Sequence, residues 1–262
     1  MTTELQKSNG DPSSPSPSSS QQPTIITAQT LTEIYHLLAT HLLTTCSHFH
    51  TSHPNNRYIV SIAGIPGSGK STLAAHVVAL LNSKLAEPSH PREDSPPRAI
   101  HLGMDGFHIP LATLPPHHLP RRGAPHTYDP QGLITLLTQL KNHASEDIPA
   151  PTFSHALKDP LPSGLLIRPN DRIILVEGLY LHSTNPDWSP IWDLCDEHWF
   201  LDVEEEVARR RVVSRHVEAG LEETLQGAGE RWSKNDGANA AFVGETRRRT
   251  GCEVEVVWRG DV

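Results

Sequence analysis

The sequence predicts an α/β protein in which helices cover both faces of a mostly parallel β-sheet, giving three layers. Short apolar segments rich in β-branched residues recur along the chain, and segments with helical apolar spacing separate them. The clearest pair is the strand-like segment Tyr58–Ala63 and the helical segment that begins at Lys70. Strands that alternate with helices form parallel sheets, and such sheets bind ligands at the carboxyl ends of their strands.

The elements follow one another in a simple order. Residues 1–24 are rich in Ser and Pro and are expected to be a disordered tail, whereas residues 25–262 are expected to form a single domain. Loops are predicted at 83–98 and 109–129, and an irregular segment with occasional short strands at 149–169. Strands are predicted at 58–63, 99–103, 172–176, 197–201 and 253–258, and helices at 28–50, from 70 onward, 131–143, 203–219 and 222–249, the last one broken near 235–237.

The composition excludes several classes of protein. A formal net charge of −8 argues against general nucleic-acid binding, which usually requires a basic surplus. The three cysteines are widely spaced and form no C-x-x-C pair, which is typical of reduced thiols inside the cell. Apolar runs of membrane-spanning length are absent from the sequence. We therefore expect a cytoplasmic protein without nucleic-acid or membrane partners, and homodimerisation is left open.

The segment Gly64–Ser71 matches G-x-x-x-x-G-K-S, the phosphate-binding P-loop. Its glycines allow backbone angles that a Cβ would forbid, so that successive N–H groups can point into one concavity, and the following helix adds its own free N–H groups. Lys70 is expected to reach the β- and γ-phosphates, and the Ser71 hydroxyl to bind Mg²⁺. The predicted nucleotide contacts are Gly64, Ile65, Pro66, Gly67, Ser68, Gly69, Lys70, Ser71 and Thr72.

Two carboxylates follow two other predicted strands. Asp105 comes after the second strand and is placed to accept a proton from a substrate hydroxyl. Glu177 comes after the third strand, where a carboxylate would orient Mg²⁺ or its waters. Taken alone, Asp105 before a glycine is more typical of a turn than of catalysis. Because the strand ends of a parallel sheet share one edge, the joint placement favours a catalytic site.

Arginines gather on the helix predicted after the fourth strand. Arg211 and Arg215 are spaced i, i+4 and share a face, and Arg209 lies close by. Guanidinium groups on a lid over residues 204–220 would stabilise charge on a transferring phosphoryl group. The alternative is a solvated surface on which these arginines pair with the glutamates at 204–206. His108 is either a substrate contact or a packed core residue.

Several motifs together resemble the phosphoribulokinase/uridine kinase family, most closely a little-characterised fungal and bacterial branch that is also similar to pantothenate kinase. They are the P-loop, Met104–His108, Arg121–Pro125 with Asp129, Glu177–Gly178, and the later segments around Arg215 and Asn235–Asn239. The resemblance implies a P-loop kinase fold that uses ATP and Mg²⁺. It also implies that Asp105 is the base, Glu177 the second acid and Arg215 a lid arginine, and that the acceptor faces His108, Arg121, Arg122, His155 and Lys158.

The sequence therefore favours a kinase that transfers the γ-phosphate of ATP to a hydroxyl of a nucleoside, a pantothenate-like acid or a sugar-type metabolite. The main alternative is a nucleotide-binding regulatory protein that keeps the P-loop but phosphorylates nothing. Asp105 distinguishes the two, because a switch needs no proton acceptor beside the γ-phosphate.

Overall fold

The computed structural model describes residues 23–86 and 97–257. The tail predicted to be disordered lies outside these residues except at its end, where Thr24 already begins a strand. Most of the loop predicted at 83–98 also lies outside them, although Leu85 still belongs to a helix and Arg98 to a strand. The folded part of the chain thus extends further into both predicted irregular segments than the sequence indicated.

Within the described residues, six parallel strands form the main sheet, and two antiparallel strands form a separate hairpin. The strands are β1 (Thr24–Ile26), β2 (Tyr58–Gly64), β3 (Arg98–Gly103), β4 (Ile148–Ser154), β5 (Asp159–Ile167), β6 (Asp171–Gly178), β7 (Glu197–Asp202) and β8 (Val254–Val257). The helices are α1 (Leu31–Ser52), α2 (Lys70–Leu85), α3 (Pro130–Asn142), α4 (Pro190–Asp193), α5 (Glu205–Glu218), α6 (Leu225–Arg231) and α7 (Gly237–Thr246).

The main sheet has the strand order β1-β8-β7-β2-β6-β3, so the strand before the P-loop lies between β6 and β7. Its side chains alternate between two hydrophobic cores. Ile59 and Ala63 face the core that contains α3 and α4, whereas Val60 and Ile62 face the core formed with α1 and α2. This period of two buries both faces of the strand and produces the three predicted layers. The α/β/α prediction is confirmed.

The hairpin formed by β4 and β5 occupies the segment 149–169, which was expected to be irregular with at most short strands. Its strands pair from Ile148 with Ile167 to Ser154 with Asp159 and pack against the turn that carries Asp105. Prolines at four strand positions hid the pattern, because a proline cannot donate to a strand ladder and normally argues against a strand. The small two-stranded sheet has edges on which prolines are tolerated.

Two other elements also differ from the sequence prediction. The helix predicted at 222–249 is shorter at both ends, and the predicted break is a single π-helical turn at Trp232–Asp236 between α6 and α7. The short strand β1 was not predicted, and it extends the sheet by pairing in parallel with β8. None of the helices in residues 23–86 and 97–257 combines the length and the apolar character that a bilayer span requires.

Candidate active site

The P-loop joins the buried end of β2 to the start of α2, as its sequence pattern predicts. Gly67 and Gly69 have φ values of 80° and 94°, in the left-handed region that favours glycine. Gly67 also lies directly under α5, where an added Cβ would be 2.4 Å from the carbonyl oxygen of Ala208. The arginine-bearing helix therefore packs against the phosphate-binding loop itself.

Lys70 is buried at the start of α2, with 7% of its surface exposed. Its Nζ donates hydrogen bonds to the carbonyl oxygen of Ile65 (2.9 Å) and to Ser68 Oγ (3.3 Å). Burial lowers the pKa of Lys70 to about 8, although the carboxylates of Glu177 and Asp105 favour its charged form. The ammonium group is thus held within the loop and loses its proton as the pH rises through about 8.

Glu177 lies at the end of β6, next to the P-loop strand. Ser71 Oγ donates a hydrogen bond to Glu177 Oε1 at 3.0 Å, and His101 Nε2 lies 3.5 Å from the same oxygen. Burial alone would raise the pKa of Glu177, but His101, Lys70 and Ser71 together hold it below its usual range. The carboxylate is therefore ionised beside a hydroxyl group. His101 was not predicted as a site residue, and its position on β3 is the only signal that the sequence offered.

Asp105 lies on the short turn that follows β3, and its side chain is 52% exposed. The Tyr128 hydroxyl donates a hydrogen bond to Asp105 Oδ1 at 3.0 Å. His108 Nδ1 donates to the backbone carbonyl of Asp105 (2.9 Å), and the His108 ring lies 4.0 Å from that of Tyr128, centroid to centroid. Burial lowers the pKa of His108 despite the nearby Asp105 carboxylate. Tyr128, which the sequence did not single out, fixes the orientation of the proposed base.

These groups meet in one cavity of about 420 Å³ at the carboxyl edge of the sheet. Because β2 neighbours β6 and β6 neighbours β3, the ends of these three strands lie side by side, and the residues that follow them converge. Of the predicted site residues, the lining includes Pro66, Gly67, Gly69, Lys70, Ser71, Thr72, Asp105, His108, Arg122, Glu177, Arg211 and Arg215.

Other predicted residues lie elsewhere. Arg209 pairs with Glu206 at 3.3 Å on the exposed side of α5, as the surface alternative expected for the whole cluster. Arg121 donates to the carbonyl of Lys234 (2.7 Å) and to Asn239 Oδ1 (3.3 Å), on the wall of an adjoining cavity. The structure places His155 and Lys158 in the exposed turn between β4 and β5.

A narrower cleft of about 210 Å³ opens beside the phosphate cavity, and Gly69, Thr72 and Arg211 line both. Its other walls are mainly apolar and come from α1, from the start of α2, and from the carboxyl ends of β7 and β8. They consist of Leu31, Ile34, Tyr35, Leu73, Leu201, Val203 and Val256, together with Ser68. A planar apolar group attached to a phosphate chain would fit this arrangement.

The hydroxyl of Ser71 and the carboxylate of Glu177 are hard oxygen ligands of the kind that Mg²⁺ prefers. Mg²⁺ in nucleotide sites usually has one or two protein ligands and completes its shell with phosphates and water. Among residues 23–86 and 97–257, no group of three or more His, Cys, Asp or Glu side chains is arranged to hold a metal ion.

A parallel sheet with a P-loop between its central strand and a helix, and with two carboxylates on the adjacent strand ends, defines the fold and site of a P-loop kinase. Comparisons with known proteins agree with this class. The chain is 40% identical over 152 residues to an ATP-dependent kinase-like protein of Aspergillus versicolor, covering 55% of this chain and 88% of that protein. It is 35% identical over 192 residues to a provisionally named uridine kinase of Schizosaccharomyces pombe, covering 71% and 78%.

A solved structure also superposes on it. That protein is a provisionally named fructose transport system kinase from Silicibacter sp. TM1040, with a TM-score of 0.66 and 30% identity, covering 78% of this chain and 90% of the other. A search against descriptions of protein families gave no match. From these relatives, the chain belongs to the phosphoribulokinase/uridine kinase family of P-loop kinases.

Proposed function

We propose that this protein is an ATP- and Mg²⁺-dependent kinase that transfers the γ-phosphate to a hydroxyl group of a small metabolite. The observation that supports this most directly is that the half-exposed Asp105 carboxylate shares a cavity with Lys70 and with the Ser71–Glu177 pair. A nucleotide-binding switch would need Lys70 and the Ser71–Glu177 pair, but it would not need the Asp105 carboxylate. A proton acceptor beside the phosphate site is what an alcohol kinase requires.

The donor would bind with its phosphates in the P-loop and its base in the apolar cleft beside it. The backbone N–H groups of the loop and the N-terminus of α2 stabilise negative charge there. Lys70, already within the loop, would move its ammonium group from Ile65 and Ser68 to the phosphate oxygens. Leu201 and Val203 would contact one face of the base.

Ser71 and Glu177 would hold the Mg²⁺ ion. The ion, when bound, neutralises charge on the phosphate oxygens and orients them for transfer. His101 supports this role, because it lies against the Glu177 oxygen that Ser71 also contacts and so helps to keep the carboxylate ionised and oriented.

The acceptor hydroxyl would lie against Asp105. As the oxygen attacks the γ-phosphorus, its proton passes to the Asp105 carboxylate, and the bond from the γ-phosphorus to the bridging oxygen of ADP breaks. Tyr128 positions the carboxylate, and His108 holds the backbone carbonyl of the same residue. Arg211 and Arg215, which line the same cavity, would offset the charge that shifts onto the leaving oxygens.

A coupled assay of ADP release tests this proposal. Nucleosides, pantothenate-like hydroxy acids, sugars and sugar phosphates are supplied one at a time with ATP and Mg²⁺, and a phosphorylated product is sought by mass spectrometry. We expect at least one of these compounds to stimulate ADP release with equal formation of product. Binding of ATP and Mg²⁺ without stimulation by any compound would contradict the proposal and favour the regulatory alternative.

A further inference from the structure

Arg122 lies on the wall of the phosphate-transfer cavity with an incompletely paired guanidinium group. Its side chain is only 16% exposed, and Nη2 donates to Asp159 Oδ1 at 2.9 Å. The other two nitrogens, Nε and Nη1, are buried without any hydrogen-bond partner. Among the described residues, Arg122 is the only side chain with two such orphaned atoms.

The pairing with Asp159 leaves most of the guanidinium unsatisfied. The oxygen that Arg122 contacts also accepts a hydrogen bond from the backbone N–H of Leu111 at 3.0 Å, so Arg122 shares it. The buried Arg57 is better paired: only its Nε lacks a partner, and its two terminal nitrogens donate to four carbonyl oxygens. Leaving charged donors buried and unpaired is costly, and binding sites that keep such groups gain when a ligand supplies the acceptor.

The backbone that carries Arg122 is held rigidly. Asn235 Nδ2 donates to the carbonyl of Arg122 at 3.0 Å. The carbonyl of the next residue, Gly123, accepts hydrogen bonds from Tyr180 Oη (2.6 Å) and Asn239 Nδ2 (3.2 Å). Gly123 itself has φ 101°, which only glycine adopts readily. The backbone from which the guanidinium extends is therefore fixed before any ligand binds, which lowers the cost of ordering this side chain against a ligand.

Arg122 also lies close to the proposed base. It lines the same cavity as Asp105, His108 and Tyr128, and its charge is one of those that lower the pKa of His108. A small molecule whose hydroxyl group contacts Asp105 can thus place a second group against Arg122. The planar fork of donors in arginine matches the two oxygens of a carboxylate or a phosphate.

We propose that the acceptor carries an anionic group, a carboxylate or a phosphate, and that Arg122 binds this group. The inference rests on the proposed kinase function and narrows its acceptor to hydroxy acids and phosphorylated sugars or polyols. Neutral nucleosides and free sugars are not expected as preferred acceptors, because they bring no anion to compensate the incompletely paired guanidinium of Arg122.

Calorimetry on the full-length protein saturated with ADP and Mg²⁺ tests this inference, because the nucleotide then fills the P-loop. The probes are matched pairs that differ in charge, such as ribose 5-phosphate with ribose and glycerate with glyceramide, among a panel of such pairs. We expect an anionic member to bind about tenfold to a hundredfold more tightly than its neutral twin. The phosphate and carboxylate pairs show which of the two anions is preferred.

Three variants assign the preference to its residue. Arg122→Gln should abolish the preference for the anionic probe. Arg122→Lys keeps the positive charge but loses the planar set of donors, and it should retain only part of that preference. Arg249→Gln removes an exposed arginine of the same charge and should leave the preference for the anionic probe unchanged. Thermal unfolding and ADP binding show that each variant is folded.

The inference is overturned if no anionic member of any pair binds more tightly than its neutral twin, or if Arg122→Gln keeps the preference. Turnover of a neutral acceptor in preference to its anionic twin would overturn it while leaving the proposed kinase function intact. A preference for anions that depends on Arg122, in a protein that phosphorylates none of them, would instead contradict the proposed function alone.

Discussion

The two carboxylates of the site, Glu177 and Asp105, lie in different environments. Glu177 is 8% exposed, contacts Ser71 and His101, and has a pKa below its usual range. Asp105 remains half-exposed and has one hydrogen bond to its side chain, from Tyr128. A carboxylate held ionised among fixed partners suits a metal ligand, whereas one that is open to the cavity suits proton transfer.

Replacing Asp105 by asparagine should separate binding from chemistry. Asp105→Asn keeps the size and the contact with Tyr128 but removes the proton-accepting oxygen. We expect near-normal binding of ATP with Mg²⁺ and turnover lowered about 10²-fold or more. Binding is measured with and without Mg²⁺, which detects any effect on the metal. Asp193→Asn, at an 81% exposed carboxylate, is the control. Turnover at the wild-type rate would rule out Asp105 as the base.

Lys70 should couple nucleotide binding to proton uptake. Its pKa of about 8 in the free protein lies below the usual value for lysine because of burial, and the phosphates of a bound nucleotide would raise it again. At pH 8.5 part of the free protein therefore lacks this proton and must take it up on binding, so affinity for ATP falls as the pH rises through about 8.

Calorimetry in two buffers with different ionisation enthalpies measures this uptake directly. The wild-type protein should give different binding heats in the two buffers at pH 8.5. Lys70→Arg remains charged at this pH and should give equal heats. Equal heats for the wild-type protein would mean that Lys70 is fully protonated before the nucleotide binds.

At the scale of the element, α5 packs against the P-loop, against α6 and against the π-helical turn that follows α6. Ala208 and Val212 contact Gly67, and these two residues form a small cluster with Val203, Trp232 and Ala240. This cluster is separate from the two cores on either side of the sheet. The lid predicted over residues 204–220 stays a prediction, and α7 is not expected to move with it, because Val243 belongs to the core that contains α3 and α4 and Asn239 donates to the carbonyl of Gly123.

Arg215, which lines the cavity near the end of α5, should act mainly on the chemical step. Arg215→Ala should lower kcat by at least about tenfold while the Kd for ATP changes less, because developing charge on the transferring phosphoryl is strongest in the transition state. Arg210→Ala, on the exposed side of the same helix, should change neither parameter. Wild-type values of both in Arg215→Ala would identify the cluster as a charged surface.

At the scale of the whole molecule, Arg57 connects several chain segments at the amino ends of the strands, opposite the site. Arg57, which is 1% exposed, donates to the carbonyls of Leu140 (3.3 Å), His143 (3.0 Å), Glu146 (3.0 Å) and Arg168 (3.3 Å). These acceptors include the end of α3 and the segments before β4 and β6. The guanidinium thus satisfies carbonyls at a helix end that would otherwise be buried unpaired.

Removing Arg57 should weaken the fold without changing the chemistry. For Arg57→Ala we expect the free energy of unfolding, measured in urea, to fall by about 2–4 kcal/mol. Binding of ATP to the folded variant should be unchanged, because the residue lies at the far edge of the sheet. Arg98→Ala, at a 51% exposed arginine, should cost less than about 1 kcal/mol. Equal costs for the two variants would contradict the structural role of Arg57.

The sequence by itself determined the features that depend on neighbouring residues. The strand, loop and helix around Gly64–Ser71 were predictable because the motif, the β-branched run before it and the helical spacing after it are local signals. The positions of Asp105 just after β3 and of Glu177 at the end of β6 were predictable for the same reason. Their presence in one cavity followed from the rule that parallel strands end at one edge.

Only the tertiary structure decided which distant residues meet. Tyr128 reaches Asp105 across 23 residues, and His101 reaches Glu177 between neighbouring strands, through pairings that no local pattern encodes. The same holds for Arg209, which shares a helix with Arg215 but points to Glu206 and away from the cavity. Side-chain contacts of this kind depend on the order of strands and on the packing of helices over them, and both are set by burial of the whole chain in three dimensions rather than by the spacing of residues along it.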